Sequence, residues 1–567
     1  MRWRLTVLFA LGWPLISEGQ SAGVPSAPAV RGAPDAGTLL KQLLPLMQPA
    51  TGPASSGLSL EQADGSRTPL PASDPILVQR IRITRNTLFS TEVLLALVAH
   101  AEGQSLTLPQ MGELAGLITK YYRSHGYPLS RAIIPAQTIS SGLLRIEIIE
   151  AHFGEIKLDN NSAVRDSVLQ AVLSNLKSGQ DISQAELDYV LLLLADLPAV
   201  KLDARLRPGS LPGTSDLVVA VEPGAATSGS IGVDNTGDSF TGPIRMAGGF
   251  NINNPLGLGD TLSASALSSG KGINHARVAY ETIVNRYGTR IGSSYSSLRY
   301  LLGGTLAPLM VNGTAQESRL FVRQSLRRST ESNVYGQLQY EGLKLRDHID
   351  VSQIKTDRSL QNWTFNLSGD AHDTLANGSN SNSSWSLGLT TGRVTFDDVS
   401  AQMANAATAK TEGRFAKWTL NLARIQGFSP STTLYLRGAG QWTGSNLDSS
   451  QKFAPSGLSG VRAYGSGAIA GDLGYLVSAE FGYAIGQVLH GQMQAISFID
   501  SAYVIVNQKP WVTGPNNASL TGAGFGLNWT GPNQWSVRVS MASPLGPKQA
   551  LISTRATRLW VELRRGY

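Results

Sequence analysis

The chain has 567 residues, of which 42% are hydrophobic and only 15% charged, with 60 glycines, no cysteine and a formal net charge of +7. Soluble globular proteins carry about 25% charged residues, so the composition suits short turns and two-faced strands better than a water-soluble globule. The lack of cysteine excludes disulfide scaffolds, Cys-ligated metals and thiol nucleophiles, and a weak positive charge without a long Lys/Arg block points away from nucleic acid.

The first residues have the form of a secretory signal peptide. Arg2 and Arg4 precede an apolar run, Leu5–Ile16, and small residues follow at Ser17, Gly19, Ser21 and Ala22. That pattern predicts a leader over residues 1–21, with cleavage after Gly19 or after Ser21. The run is too short for a spanning helix, which takes about 20 residues. Val190–Leu194 is apolar but far shorter and is ended by Pro198. A membrane protein without spanning helices must be a closed barrel.

Residues 22–73 are rich in Pro, Gly, Ala and Ser and read as a linker. Within it, Asp35–Met47 predicts a short helix: Leu39, Leu40, Leu43, Leu44 and Met47 share one face, Asp35 is placed to cap it, and Pro45 weakens its last turn.

Two units of about 75 residues then repeat one element order. In 74–151 the alternation of Ile76, Val78, Ile81 and Ile83 predicts a strand. Ser90 caps a helix reaching His100, and Met111, Leu114, Leu117, Ile118, Tyr121 and Tyr122 stripe a second helix near Leu108–Ser124, stopped by Gly126. Strands follow at Ala132–Ile134 and Leu143–Ile149, split by a turn at Ser140–Gly142. In 152–223 a strand at Phe153–Leu158 precedes a helix striped by Val164, Val168, Leu169, Val172 and Leu173. Ser183 and Glu186 form a capping box for a second helix ending before Pro198, and strands close the unit at Val200–Leu206 and Leu217–Val221.

From Gly229 helical periodicity disappears. Short alternating stretches such as Ser263–Leu267, Trp418–Leu422 and Leu434–Arg437 recur between Asn, Asp, Gly and Ser clusters. This is the pattern of a transmembrane barrel, with lipid-facing apolar residues alternating with lumen-facing polar ones. In the last strand Leu559, Val561, Leu563 and Tyr567 share one face, which Arg565 interrupts near the interface. Gly465–Gly467 and Gly522–Gly526 are glycine-rich without the context of a phosphate loop and read as ordinary loops. No catalytic constellation, metal spacing or cofactor motif is present in the sequence, so none is expected.

Several words in the chain carry a family resemblance. TRNTLFST (Thr84–Thr91), YYRSHGYPLSRAIIPAQ (Tyr121–Gln137) and GLLRIEIIEA (Gly142–Ala151) in the first unit, and LPGTSDLVVAVEPG (Leu211–Gly224) in the second, resemble POTRA domains. DNTGDSFTGPIRMAGGF (Asp234–Phe250), NNPLGLGD (Asn253–Asp260) and the segment Gln441–Gly467 resemble the barrels of two-partner secretion translocators, which export large adhesins and haemolysins. The core of the last segment, Val461, Arg462, Ala463 and Tyr464, resembles that family's VRGY/F loop motif, with Ala463 where Gly is usual. Phe498, Asp500 and Ala502 resemble its F-x-D-x-G strand motif, with Ala502 in place of Gly.

The resemblance implies α+β POTRA domains (74–151 and 152–223), followed by a transmembrane antiparallel β-barrel (224–567) of about 16 strands, with an N-terminal plug helix in the resting pore. It implies that Arg462, on a loop folded back into the barrel, pairs with Asp500 on the inner wall, small residues at 463 and 502 allowing close approach. The final alternating strand resembles the assembly signal of outer-membrane barrels. The expected protein is therefore no enzyme. It sits in the bacterial outer membrane with its POTRA domains in the periplasm, binds a large adhesin- or haemolysin-like partner while unfolded, and meets outer-membrane lipid and the barrel-assembly machinery. A barrel-assembly insertase and a general porin are the alternatives.

Overall fold

Strict alternation of Leu144, Ile146 and Ile148, all buried, makes one strand the centre of the first small unit, and buried Met111, Leu114, Ile118 and Tyr122 lay a helix against it. The computed structural model describes residues 33–43, 58–60, 73–139, 141–374, 380–552 and 556–567. The leader, Leu44, Met47 and most of the linker lie outside the described residues.

The chain begins with α1 (Ala36–Gln42), then β1 (Leu58–Leu60). The first unit comprises β2 (Ile76–Val78), β3 (Arg80–Thr84), α2 (Thr91–Val98), β4 (Gln104–Leu106), α3 (Leu108–Ser124), β5 (Arg131–Ile133) and β6 (Leu143–Ile149). Its three-stranded sheet has the order β3-β6-β5, with β3 parallel to β6. The run Ile76–Ile83 is two strands rather than the one that its alternation suggests: β2 pairs with β4 and β3 with β6. Apolar alternation reports which residues are buried, not which neighbour they pair with. Ser90 caps α2, which passes into a 3-10 turn at Ala99–Ala101. Leu117 is exposed, off the buried face of α3.

A buried carboxylate organises the first unit. Glu150 accepts hydrogen bonds from the Thr87 and Leu88 amides (2.9 Å each), from the Thr87 hydroxyl and from the Tyr122 hydroxyl (2.8 Å). Burial alone would raise its pKa, but these donors outweigh burial and hold it below the usual glutamate range.

The second unit repeats the order with β7 (His152–Asn160), α4 (Asp166–Leu173), α5 (Gln184–Ala195), β8 (Val200–Pro208) and β9 (Thr214–Pro223). Val164 precedes α4 rather than lying in it. The box at Ser183 is one-sided: Ser183 accepts from the Glu186 amide, while the Glu186 carboxylate takes the Gln180 amide at 2.6 Å. The sheet order is β1-β8-β9-β7, so a strand from the linker lies parallel along β8.

Sixteen long antiparallel strands then close into a barrel. They are β10 (Thr227–Asp234), β11 (Arg245–Asn253), β12 (Thr261–Ser268), β13 (Ile273–Ile283), β14 (Arg290–Leu301), β15 (Val311–Arg328) and β16 (Ser332–Ile349), then, after the two-residue flap β17 (Ile354–Lys355), β18 (Arg358–Thr374) and β19 (Asn380–Phe396). The set ends with β20 (Gly413–Ser429), β21 (Thr432–Thr443), β22 (Leu473–Val488), β23 (Gly491–Ile505), β24 (Asn517–Thr530), β25 (Trp535–Pro544) and β26 (Arg558–Gly566), which pairs back to β10.

The outside carries exposed Val278, Tyr295, Leu320, Phe365, Phe481 and Phe525, an apolar surface too extensive to face water. The inside carries buried Glu317, Arg358, Asn362 and Asp500. Apolar-out, polar-in alternation on a closed sheet is the arrangement lipid demands. The glycines at 522–526 belong to β24 rather than to a loop; alternate positions face inward, where a Cβ on Gly522 would strike Ala463 and one on Gly524 would strike the Phe498 ring.

The second unit docks on the barrel turns at one end. Arg328 donates to the Asp196 carboxylate through Nε (2.9 Å) and Nη2 (2.7 Å), and Arg290 to the Asp196 carbonyl (2.6 Å). Leu193 packs on Gly288 and Leu197 on Gly259, both glycines at positive φ.

Candidate functional site in the barrel lumen

Among the described residues, two segments that are not wall strands fill the lumen: the loop 444–472 between β21 and β22, and α1. The loop is anchored at its base by Asp472, fully buried, which accepts from the Leu447 amide (3.0 Å) and the Gln508 amide (2.8 Å) and pairs with Lys452 at 2.7 Å. Asn446 ties it to neighbouring loops through the carbonyls of Ala409 (2.7 Å) and Lys509 (2.9 Å).

At the tip Val461, Arg462, Ala463 and Tyr464 are all buried. Arg462 meets Asp500 in a two-pronged contact, Nε to Oδ2 and Nη2 to Oδ1, each 2.9 Å, and its own amide donates to Oδ2 at 3.1 Å. Nη1 reaches Glu480, Nη2 reaches the Ser478 hydroxyl at 3.3 Å, and the guanidinium stacks over the Phe498 ring at 3.4 Å. Register explains the convergence: Ser478 is opposite Asp500 and Glu480 opposite Phe498, all on the lumen face. The pair is not bathed in water. Asp500 is 1% exposed and Arg462 9%.

Close approach at Ala463 is made possible by Gly522 on β24, whose missing side chain leaves the room. Ala502 lies in the same buried cluster. Glu480, Ser478 and Trp560 stand in no motif of the sequence, and Gly522 reads there only as part of a loop. Trp560 had a signal: it stands on the even, lumen face of the last strand, among Arg558, Glu562 and Arg564, where an indole needs a partner for its N–H.

The helix α1 sits beside this loop. Asp35 caps it by accepting from the Thr38 amide at 2.8 Å, and the Ala36 amide donates to Asp347 at 2.7 Å. Arg358, 3% exposed at its side chain, binds Asp35 (2.8 Å), Asp347 (2.6 Å) and Asp448 together, while Ser449 donates to Asp35 at 2.6 Å and Tyr300 to Asp347 at 2.6 Å. Leu39 and Leu40 are buried and Leu43 is the C-cap of the helix. Gly37 lies so close to Ser449 and Ser450 that a Cβ would collide with both, and a Cβ on Gly467 would collide with Gln42. Helix and loop therefore pack on each other as well as on the wall.

On the last strand Leu559, Val561, Leu563 and Tyr567 face outward and are exposed. Tyr567 lies over Gly229, where a Cβ would meet its ring, and stacks near Phe250 at 6.5 Å. Arg565 stands over the Trp535 ring at 5.4 Å.

Comparison with known proteins places this geometry. Residues 213–529 match the family model described as haemolysin secretion/activation protein ShlB/FhaC/HecB, and residues 76–151 match the ShlB-type POTRA domain. Among curated proteins, the heme/hemopexin transporter protein HuxB of Haemophilus influenzae is 26% identical over 539 residues, covering 91% of this chain and 92% of that protein. The outer membrane transporter CdiB of Dickeya dadantii is 23% identical over 490 residues, covering 82% of each. Among solved structures, CdiB from Escherichia coli superposes with a TM-score of 0.71 at 19% identity, covering 91% of this chain and 94% of that one, which speaks to the fold.

Proposed function

Because the chain belongs to the haemolysin secretion/activation family (ShlB/FhaC/HecB), outer-membrane transporters that export secreted partner proteins, we propose that it captures an unfolded client in the periplasm, unstoppers its own pore and passes the client through the barrel. The carrying observation is that α1 occupies the lumen through side-chain contacts with Arg358, Asp347 and Ser449 and is no part of the wall. A stopper held this way is removable without unfolding the barrel.

The receptor in this reading is the pair of small units, read as POTRA domains over 74–151 and 152–223, after a leader (1–21) and linker (22–73), with the barrel assigned to 224–567. Their sheets end in strands such as β3 and β7, and an extended segment adds to such an edge through its backbone, which suits a client recognised before it folds. The client is a large secreted protein of the adhesin or haemolysin kind, and the outward row Leu559, Val561, Leu563 and Tyr567 addresses the barrel to its assembly machinery. Of the alternatives, an insertase and a porin, neither is favoured: the family match is to secretion proteins, and a diffusion pore needs no polypeptide receptor. Deleting residues 74–223 is expected to abolish appearance of the partner in the medium while the barrel keeps its heat-modifiable gel mobility. Normal export by the deletion variant would overturn the receptor role.

A further inference from the structure

The barrel closes where β10 meets β26, and this is the shortest junction in its wall. The ladder pairs Ser230–Asp234 with Glu562–Gly566, five residues, whereas the other junctions between adjacent long strands run to eight or more. Gly229 and Tyr567 add a reciprocal backbone pair (3.1 and 3.0 Å), and the Asn235 side chain bonds the Val561 amide (2.8 Å) and the Leu559 carbonyl (2.9 Å).

Beyond the ladder, the two sides are joined from the inside by the loop 444–472. Trp560 of β26, 4% exposed, donates its indole N–H to the Arg462 carbonyl at 2.7 Å. Four residues on, the Ser466 hydroxyl donates to the carbonyl of Thr236, just past the end of β10, at 2.7 Å. Between these two feet Gly465 lies against the Arg558 guanidinium, where a Cβ would sit 3.0 Å from Nη2.

We propose that the loop tip is an internal staple across the seam of the barrel, with Trp560 and Ser466 as its positioning residues, so that the seam loosens when the loop withdraws. The Trp560 bond falls on the backbone of the residue whose side chain grips Asp500 and Glu480, and Gly467 at the other foot leaves room for Gln42 of α1. Clasp, stopper and seam thus share one stretch of chain. A barrel whose strands are otherwise joined over long ladders widens where the ladder is shortest and a removable segment bridges it.

The test needs no client, so it stands or falls separately from the export reading. The chain has no cysteine, so spin labels are placed cleanly at Val233 and Leu563, opposite each other across the seam and exposed on the outer face. A control pair goes at Trp363 and Thr391, facing partners on β18 and β19. Distances are measured in the full chain in nanodiscs, in Trp560→Phe, which keeps a ring and removes the N–H, in Ser466→Ala and in Arg462→Ala. The expected result is a rise in the long-distance seam population of about five-fold for loss of one net hydrogen bond, larger in Arg462→Ala, with the control pair unchanged. Seam distances in all three variants that match the parent would overturn the staple. Equal broadening at seam and control would overturn it too, since that is general loosening of the barrel.

Discussion

Arg462 holds two carboxylates, a hydroxyl and an aromatic face with one planar group, and that geometry decides what its loss does. Asp500 is almost fully buried, so removing the guanidinium strands a charge in a dry site, a loss of about 3–5 kcal/mol for a buried pair. Arg462→Ala and Asp500→Ala are each expected to cut export about ten-fold or more at normal membrane insertion, and Arg462→Lys to recover only part, because an ammonium cannot fork between two oxygens. The double variant should be no worse than the worse single one; fully additive losses in secretion assays would show that the two act apart. Glu150 sets an acid limit on the first small unit. Its folded pKa is depressed, so its contribution to stability is fully present above the unfolded value, about 4.3, and is lost as pH falls through the lower folded value. Hydrogen-exchange protection of residues 76–151 should therefore drop in that acid window in the parent, and Glu150→Gln should start lower at pH 7 and lack that step. An identical acid profile in the variant would remove Glu150 as the cause. The Arg462–Asp500 partnership was legible because both residues stand in motif words with the right parity. The role of Glu480 and the partner of Trp560 were not, since they depend on strand register and on a loop that crosses the lumen, and neither leaves a local mark on a sequence.

The helix α1 has seven residues, too few to be stable alone in water, where about 12–15 residues are marginal. Its stability comes from where it sits. Leu39 and Leu40 bury against the loop and wall, and Arg358 bridges Asp35 of the cap to Asp347 and Asp448. Deleting residues 35–47 should raise single-channel conductance in planar bilayers, and Arg358→Ala should give the same open level intermittently, because it removes the hub and leaves the apolar contacts. Unchanged conductance in both would leave α1 as packing only. The helix itself was readable from Asp35 and the leucine spacing. Its grip was not: Arg358 lies hundreds of positions away from Asp35, inside what reads as one more barrel strand, and only closure of the barrel brings them together. The split of Ile76–Ile83 into β2 and β3 has the same origin, since burial is a local pattern and pairing is not. The 522–526 glycines, which without a phosphate-loop context read as an ordinary loop, lie inside a strand, where they make room for Ala463 and Phe498.

For the whole molecule, the question is what keeps the receptor at the mouth of the pore. The second small unit meets the barrel through Leu193 and Leu197 on glycine turns and through the Asp196–Arg328 fork, and the two ends of that fork are unequally placed. The Arg328 side chain is 8% exposed and that of Asp196 35%. If Arg328 is removed, Asp196 turns to water, and the loss resembles that of a surface pair, about 0–1 kcal/mol. If Asp196 is removed, the guanidinium keeps Asn333 at 2.7 Å but loses its counter-charge in a buried place, a larger penalty. Asp196→Ala should therefore free the unit from the barrel more than Arg328→Ala does, although both delete the same ion pair. Label distances between α5 and the turn after β15, together with proteolysis near residues 196–200, would show it as a broader distribution and faster cleavage in the aspartate variant. Export should fall in the same order, because a receptor that wanders from the mouth delivers its client less often. Equal effects of the two substitutions would mean that Arg328 rehydrates freely once its partner is gone. The docking would then rest on Leu193 and Leu197, and Leu197→Ala alone should reproduce the loosening.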